Sequence, residues 1–420
     1  MRIAQLRQRL RDLGAKPCHE DRLLRGWSQV CSYDRPRSAA EGFFPLALRN
    51  ELPAIEAELN GLAHLRSEYP ANGHRMDTTN NHGSHDRSPT PTLMEPLAIR
   101  LSPQAGKSLV IPRIAGEGAN VALRGFSDNE GVARLLVELA DGQMVESVLL
   151  PRGGLCVSTQ VGCAVGCVFC MSGRAGLQRQ LGSAEIVAQV VLARKRRAVS
   201  KVVFMGMGEP AHNLDNVLEA IQLLGTQGNI GHKNLVLSTV GDLRVFERLM
   251  EGLPLPEKSP PIQLSPASGR KGEREKQSSI PAVKPALALS LHTTDAALRA
   301  RLLPRAPQIA VEELVERAEV YARATGYPVQ YQWTLLEGVN DSEAELERIA
   351  QLLSGKYAVM NFIPFNDVDG LAYRRPSSER IAAMVQSLKQ HGILAKIRDS
   401  AGREIEGACG QLRARAVKAK

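Results

Sequence analysis

From residue 154 onward the chain alternates short apolar runs with helical stretches, and this alternation restricts the fold more than any other feature of the sequence. The apolar runs occupy 154–161, 202–206, 234–239, 286–291, 328–335 and 358–364. Apolar spacing predicts helices near 183–197, 213–225, 311–325, 342–354 and 377–391. Ser183 followed by Glu185, and Asp341-Ser342-Glu343, suit helix starts. Repeated strand–helix units demand a parallel sheet with right-handed crossovers. Six of them predict an α/β fold, an open or partial (β/α)6 barrel. Such folds bind ligands at the carboxyl ends of their strands. The unusual polar segments all follow strand cores here. They are Cys163 to Cys170, Gly206-Met207-Gly208-Glu209-Pro210, Ser238-Thr239, Ser290-Leu291-His292, Glu337 to Asp341 and Pro364-Phe365-Asn366.

The segments upstream differ in character. Leu6, Leu10 and Leu13, then Phe43 to Leu48 with Ile55 and Leu59, predict a small helical module over residues 1–66. Residues 67–95 are rich in Asn, His, Ser, Thr, Pro and Gly and read as a flexible linker, in which His74, His82 and His85 are more simply solvated than metal-bound. Residues 96–150 form a β-rich extension, with alternating runs at Val121 and Ala133 and a hairpin turn at Asp141-Gly142. The catalytic core is expected over 151–412. A Pro-, Ser-, Lys- and Glu-rich disordered insertion interrupts it at 254–284, and a basic tail follows at 413–420.

The net charge of +9 favours a polyanionic partner, nucleic acid or an anionic surface, without choosing between them. Aromatic residues make up 4 % of the chain, which argues against a base-stacking platform. Arg194 to Arg197, the group Arg299, Arg301 and Arg305, and Arg413, Arg415, Lys418 and Lys420 are phosphate-contact candidates, each with a solvated face as the plainer reading. The charged start shows no signal peptide, and no window is apolar enough to span a membrane. The expected location is therefore cytoplasmic, with no membrane partner.

Seven cysteines, an odd and clustered set, do not make a disulfide scaffold and point to metal binding or redox catalysis. Cys163, Cys167 and Cys170 leave three and then two residues between thiols. Short loops of thiolates hold iron–sulfur clusters. With three ligands for four irons, a 4Fe–4S cluster would keep one iron open to a chelating substrate. A structural zinc would need a fourth Cys or His, and none lies nearby in sequence.

On this spacing the sequence resembles the radical S-adenosylmethionine (SAM) superfamily, whose barrel binds a 4Fe–4S cluster and SAM. Gly206-Met207-Gly208-Glu209-Pro210 resembles the glycine-rich stretch that holds the SAM amino group. From about Gly142 to Leu412 the chain is similar to the RlmN/Cfr family of RNA methyltransferases, above all in Cys156 to Cys163 and Ala408-Cys409-Gly410-Gln411-Leu412. The resemblance implies methylation of an adenine carbon, C2 before C8, in rRNA or tRNA, with two SAM per turnover. It implies that Cys409 carries the methyl as S-methylcysteine, that Cys156 resolves the protein–RNA adduct through a transient disulfide with Cys409, and that Glu146 is the proton acceptor. It further implies SAM contacts from Gly208, Glu209, Ser238, Ser290, Leu291, His292 and Asn366. An electron donor such as flavodoxin or ferredoxin would serve the cluster.

Two departures bear on the RNA target: Met171-Ser172-Gly173-Arg174-Ala175-Gly176 differs from the Ser-Thr-Ala-rich stretch of housekeeping members, and the N-terminal third diverges. The rival readings are a radical SAM enzyme acting on another substrate and a non-catalytic RNA-binding protein held by a structural metal.

Overall fold

The computed structural model describes residues 1–34, 40–71, 76–77, 131–253, 282–368 and 370–414. In chain order the helical module comprises α1 (Ile3–Asp12), α2 (Pro17–Gln29), α3 (Ala40–Phe43) and α4 (Leu46–Gly61). The strands β1 (Ala63–Pro70), β2 (Met76–Asp77), β3 (Ala133–Leu139) and β4 (Met144–Leu150) follow. The remainder runs β5 (Gly154–Cys156), β6 (Gln160–Gly162), β7 (Leu177–Gln180), α5 (Ser183–Arg194), β8 (Lys201–Phe204), α6 (Leu214–Gly225), β9 (Leu235–Thr239), α7 (Leu243–Met250), β10 (Ala286–Ser290), α8 (Ala296–Leu302), α9 (Val311–Thr325), β11 (Val329–Leu335), α10 (Glu343–Leu353), β12 (Ala358–Pro364), α11 (Ser378–Gln390) and β13 (Ala395–Ile397).

Among the described residues eleven strands make one sheet, in the order β13-β12-β11-β10-β9-β8-β5-β4-β3-β1-β2. From β5 to β13 every neighbouring pair is parallel, and spatial order follows chain order. That winding is the expected partial β/α barrel, left open rather than closed. Beyond β5 the sheet continues antiparallel through β4, β3, β1 and β2. The parallel part has one strand more than the sequence reading counted. β13 spans three residues and is flanked by half-exposed Leu394, so it carries no apolar run to be noticed. The first expected run, 154–161, is divided: β5 joins the large sheet, whereas β6 pairs with β7 in a separate ribbon. The short helices α7 and α8 were not expected.

Three expected boundaries are corrected. The limit at residue 66 falls inside β1, which pairs with β3, so the extension and the barrel share one sheet. The linker 67–95, apart from 67–71 and 76–77, lies outside the described residues, as do His74, His82, His85 and the run at Val121. The insertion 254–284 ends earlier than expected: Val283 is buried in the core and its N–H donates to Gln222 Oε1 at 2.8 Å, and Lys284 Nζ donates to Leu249 O at 2.9 Å. The tail 413–420 begins within the fold, because the Arg413 N–H donates to Glu146 Oε2 at 2.9 Å; 415–420 lie outside the described residues.

The helical module covers α5. Ten of its twelve residues are buried, since the sheet lies on one side and α2 and α4 on the other. Gly182, not Ser183, caps this helix: Glu185 Oε2 accepts from the Gly182 N–H at 2.7 Å, while the Ser183 hydroxyl is turned to α1 and accepts from Ile3 N–H at 2.8 Å. Ser342 caps α10, accepting from Glu345 N–H at 3.2 Å. Arg194 to Arg197, a phosphate-contact candidate with a solvated face as its plainer reading, is instead the joint between module and barrel. Arg194 donates to Ser28 O at 2.7 Å and Gly228 O at 2.8 Å, Arg196 pairs with Glu68 at 3.2 Å, and buried Arg197 donates to Gly154 O at 3.1 Å. Among the described residues no helix is long and apolar enough to cross a membrane.

Candidate active site

The three clustered cysteines lie on the loop that joins β6 to β7 and rises over the carboxyl ends of the parallel strands. Glycines fix that loop. Gly162 has φ +77°, and a Cβ there would come within 2.0 Å of Gly176 O; a Cβ on Gly173 would come within 2.7 Å of Gly166 Cα. Cys163, Cys167 and Cys170 all face one cavity, whose far wall is formed by Gly208, Glu209, Ser238, Ser290 and His292. Strand ends β8, β9 and β10 thus supply the groups that their sequence positions led one to expect.

These wall residues are held firmly. Gly208 has φ +107°, and a Cβ would lie 2.7 Å from Gln160 Cβ and Thr159 Oγ1, so only glycine fits. Buried Glu209 braces two strand ends: its carboxylate accepts from Ala211 N–H at 3.0 Å, Thr239 Oγ1 at 2.6 Å and Val240 N–H at 3.1 Å. Burial nonetheless pushes its carboxyl above the ordinary range. His292 adopts φ +66°, a costly conformation for a non-glycine residue. Its Nδ1 accepts from Thr334 N–H at 3.0 Å, which leaves the proton on Nε2. Burial, aided by the Arg299 charge, pulls the imidazole down to about 3, so the ring is neutral. Asn340, fully buried, holds this corner by accepting from Leu336 N–H at 2.8 Å and donating to His292 O at 2.6 Å and Thr334 O at 2.8 Å.

Cys409 lines the same cavity and also a second one, which it shares with Cys156. Its loop is pinned from three directions: Asn366 Nδ2 donates to Cys409 O at 3.0 Å, Met171 N–H to Gly410 O at 2.7 Å, and Ser172 Oγ to Leu412 O at 2.7 Å. Burial pushes Cys156 up to about 12, with the nearby Cys409 adding to the shift and Arg398 opposing it. All seven cysteines are free, so no disulfide joins Cys156 to Cys409 in this structure.

Four sequence expectations are placed differently. Asn366 reaches the Cys409 loop and Ser400 Oγ (3.1 Å) rather than the cavity wall, and Leu291 packs its side chain into the core. Glu146 is fully buried on β4 and lines neither cavity. Its Oε1 takes Arg134 Nη1 at 2.5 Å and its Oε2 the Arg413 N–H. Arg299, a phosphate-contact candidate, is buried and donates to Val240 O, whereas Arg301 and Arg305 are exposed. Sequence reasoning missed Arg398, which lines both cavities and donates to Gln332 Oε1 at 3.0 Å. It directly follows β13, so recognising that strand would have placed Arg398 at a strand end.

The donor set fits a cluster better than a single ion. A zinc bound at roughly 2.3 Å would draw its thiolates to within about 4 Å of one another. Among the described residues no three His, Cys, Asp or Glu side chains are grouped to hold one metal ion. A cubane instead takes one thiolate at each of three separated corners. Without metal, burial pushes Cys163 up to about 12 and raises Cys167 and Cys170; coordination is what makes such thiols thiolates. The hydroxyls of Ser238 and Ser290, the Glu209 carboxylate and a neutral imidazole supply the donors and acceptors that an amino acid and a ribose require.

The fold and this three-thiol loop are those of the radical SAM class, and the model of the Radical SAM superfamily matches residues 157–255. A crystal structure of a radical SAM methyltransferase from Sphaerobacter thermophilus superposes with a TM-score of 0.59 at 35 % identity, covering 69 % of this chain and 80 % of that one. A probable RNA methyltransferase of Azoarcus sp. (strain BH72) is 57 % identical over 418 residues, 100 % of this chain and 96 % of the relative. One of Pseudomonas aeruginosa (strain UCBPP-PA14) is 54 % identical over 419 residues, 99 % and 96 % of the two chains. The chain belongs to the radical SAM RNA methyltransferase family, with a 4Fe–4S cluster and SAM as its cofactors.

Proposed function

We propose that the protein methylates an adenine carbon in RNA, C2 before C8, by way of a methyl group carried on Cys409, and that Cys163, Cys167 and Cys170 hold the cluster. The observation that carries this reading is the position of Cys409, in the wall of both the three-thiol cavity and the cavity of Cys156. An adenine C2 or C8 lies between electron-withdrawing nitrogens and does not displace the methyl of SAM; a cysteine thiolate does. When bound, the cluster supplies one electron, from a donor such as flavodoxin or ferredoxin, for the cleavage of SAM to a 5′-deoxyadenosyl radical.

The chain's residues then divide the work. Gly208, Glu209, Ser238, Ser290 and His292 hold SAM beside the cluster loop, with Leu291 and Asn366 supporting that wall and the Cys409 loop. Cys409 receives one methyl from a first SAM; the 5′-deoxyadenosyl radical would take a hydrogen atom from that methyl, and the carbon radical left on Cys409 would add to the adenine, the adduct giving up the proton of the attacked carbon to a base and its odd electron to the oxidised cluster. Cys156 attacks Cys409 Sγ, so that the sulfur–carbon bond breaks as the disulfide forms. Arg398 beside Cys156 favours the thiolate needed for this attack. Glu146 serves as proton acceptor only once the segment at Arg413 lifts from its carboxylate.

The test is nucleoside mass spectrometry after anaerobic reaction of reconstituted protein with SAM, reductant and, separately, bulk rRNA and tRNA. A new 2- or 8-methyladenosine supports the reading and names position and substrate. Formation of 5′-deoxyadenosine with no methyladenosine in either RNA would overturn it.

A further inference from the structure

No step above uses the segment Met171-Ser172-Gly173. It forms a short 3-10 turn directly after the last cluster thiol. Ser172 is buried, and its hydroxyl donates to Leu412 O at 2.7 Å, three residues beyond Cys409. Ser172 follows Cys170, the last cluster thiol, by two residues. One residue earlier, Met171 N–H donates to Gly410 O at 2.7 Å. Cys170, Ser172 and Cys409 stand together in the walls of both cavities. The loop of Cys409 closes onto this turn because Gly410, at φ +86°, lets its backbone come against Phe169 O, which a Cβ would meet at 3.0 Å.

We infer that Ser172 is a positioning residue that couples the two halves of the site: order in the cluster loop holds the Cys409 loop docked, and release of either loosens the other. The turn is held when Cys170 is anchored to iron, and the Met171 N–H and the Ser172 hydroxyl then present a fixed pair of donors to Gly410 O and Leu412 O. Coupling between two sites is reciprocal, so docking of Cys409 also retains the cluster. Loss of one neutral hydrogen bond shifts the docked-to-free ratio of the Cys409 loop by about three- to tenfold. The inference concerns the closure of the site and does not require that Cys409 carry a methyl group.

The test is the rate at which iodoacetamide alkylates Cys409, read by peptide mass spectrometry on full-length protein with and without reconstituted cluster, and no RNA is present. Iron content and visible absorbance are followed in parallel. In the parent protein, cluster loading is expected to slow alkylation of Cys409. In Ser172→Ala with full cluster content, Cys409 should react about three- to tenfold faster than in the loaded parent, and Ser172→Thr should restore protection. If Ser172→Ala fails to retain iron, Gly410→Ala replaces it. That variant changes no residue of the cluster loop itself, should free Cys409 in the same assay and should speed removal of iron by a chelator. Equal alkylation of loaded and cluster-free parent protein, or unchanged protection in the variants at equal iron content, would overturn the coupling.

Discussion

Replacing Asn340 by Ala should be among the most damaging single changes in this fold, although Asn340 lines neither cavity of the site. The side chain is fully buried and serves three backbone groups: the N–H of Leu336 and the carbonyls of His292 and Thr334. Alanine leaves all three short of a partner. A buried group so abandoned costs about 1–3 kcal/mol, and the carbonyls retain a second lone pair, so the sum is about 3–5 kcal/mol. That is a large share of the roughly 5–15 kcal/mol that holds a domain together. His292, whose left-handed backbone depends on this contact, should lose its place at the same time. Urea unfolding of the cluster-free protein measures the first effect. Asn340→Asp separates hydrogen bonding from volume: it keeps the acceptor for Leu336 N–H but sets a carboxylate against two carbonyls. It should therefore be no more stable than Asn340→Ala near neutral pH. If either variant unfolds within about 1 kcal/mol of the parent, the hub has been misjudged.

Two further outcomes follow from the geometry. His292 is held near 3 by burial and by Arg299, against about 6.5 when unfolded, so between those values the unfolded chain binds one more proton. Stability should thus fall as pH drops below about 6.5, by up to about 1.4 kcal/mol per pH unit for this group, and His292→Gln should flatten the slope in urea titrations across pH 4–6.5. A slope unchanged by the substitution would contradict the assignment. Arg194→Ala should lower the melting temperature, because three backbone carbonyls lose their donor, yet leave the salt dependence of RNA binding unaltered. Exposed Arg301→Ala should do the reverse and reduce that slope by about one if it contacts phosphate.

Local signals in the sequence located the parts of the site that depend on short spacing. The cysteine loop, the glycine-rich turn after β8 and Ser290-Leu291-His292 after β10 each follow an apolar run that is a strand core, and strand cores fix where loops emerge. Features governed by distant partners were not legible. Arg194 and Arg197 read as a basic patch because their partners, Ser28 O, Gly228 O and Gly154 O, are backbone atoms that no sequence pattern marks. The pairing of Glu146 with Arg134 follows from the antiparallel register of β3 and β4, and its contact with Arg413 spans 267 residues. β13 was missed because three residues with half-exposed Ile397 make no periodic signal, and Arg398 was missed with it. His292 and Asn366 were placed at strand ends by the apolar runs and read as SAM contacts only through the family resemblance; the structure has His292 in the cavity wall and Asn366 hydrogen-bonded to the Cys409 loop.

The central claim is that the methyl carbon reaches RNA while bonded to Cys409, and Cys156→Ala tests it most directly. The variant is to be reacted anaerobically with SAM, reductant and RNA, digested with nuclease and protease, and examined for the peptide that contains Cys409. The account predicts that an adenosine-bearing fragment, joined through one methylene to the Cys409 sulfur, accumulates because the resolving thiol is gone. Methylated RNA released at the parent rate, with the Cys409 peptide unmodified throughout, would contradict it.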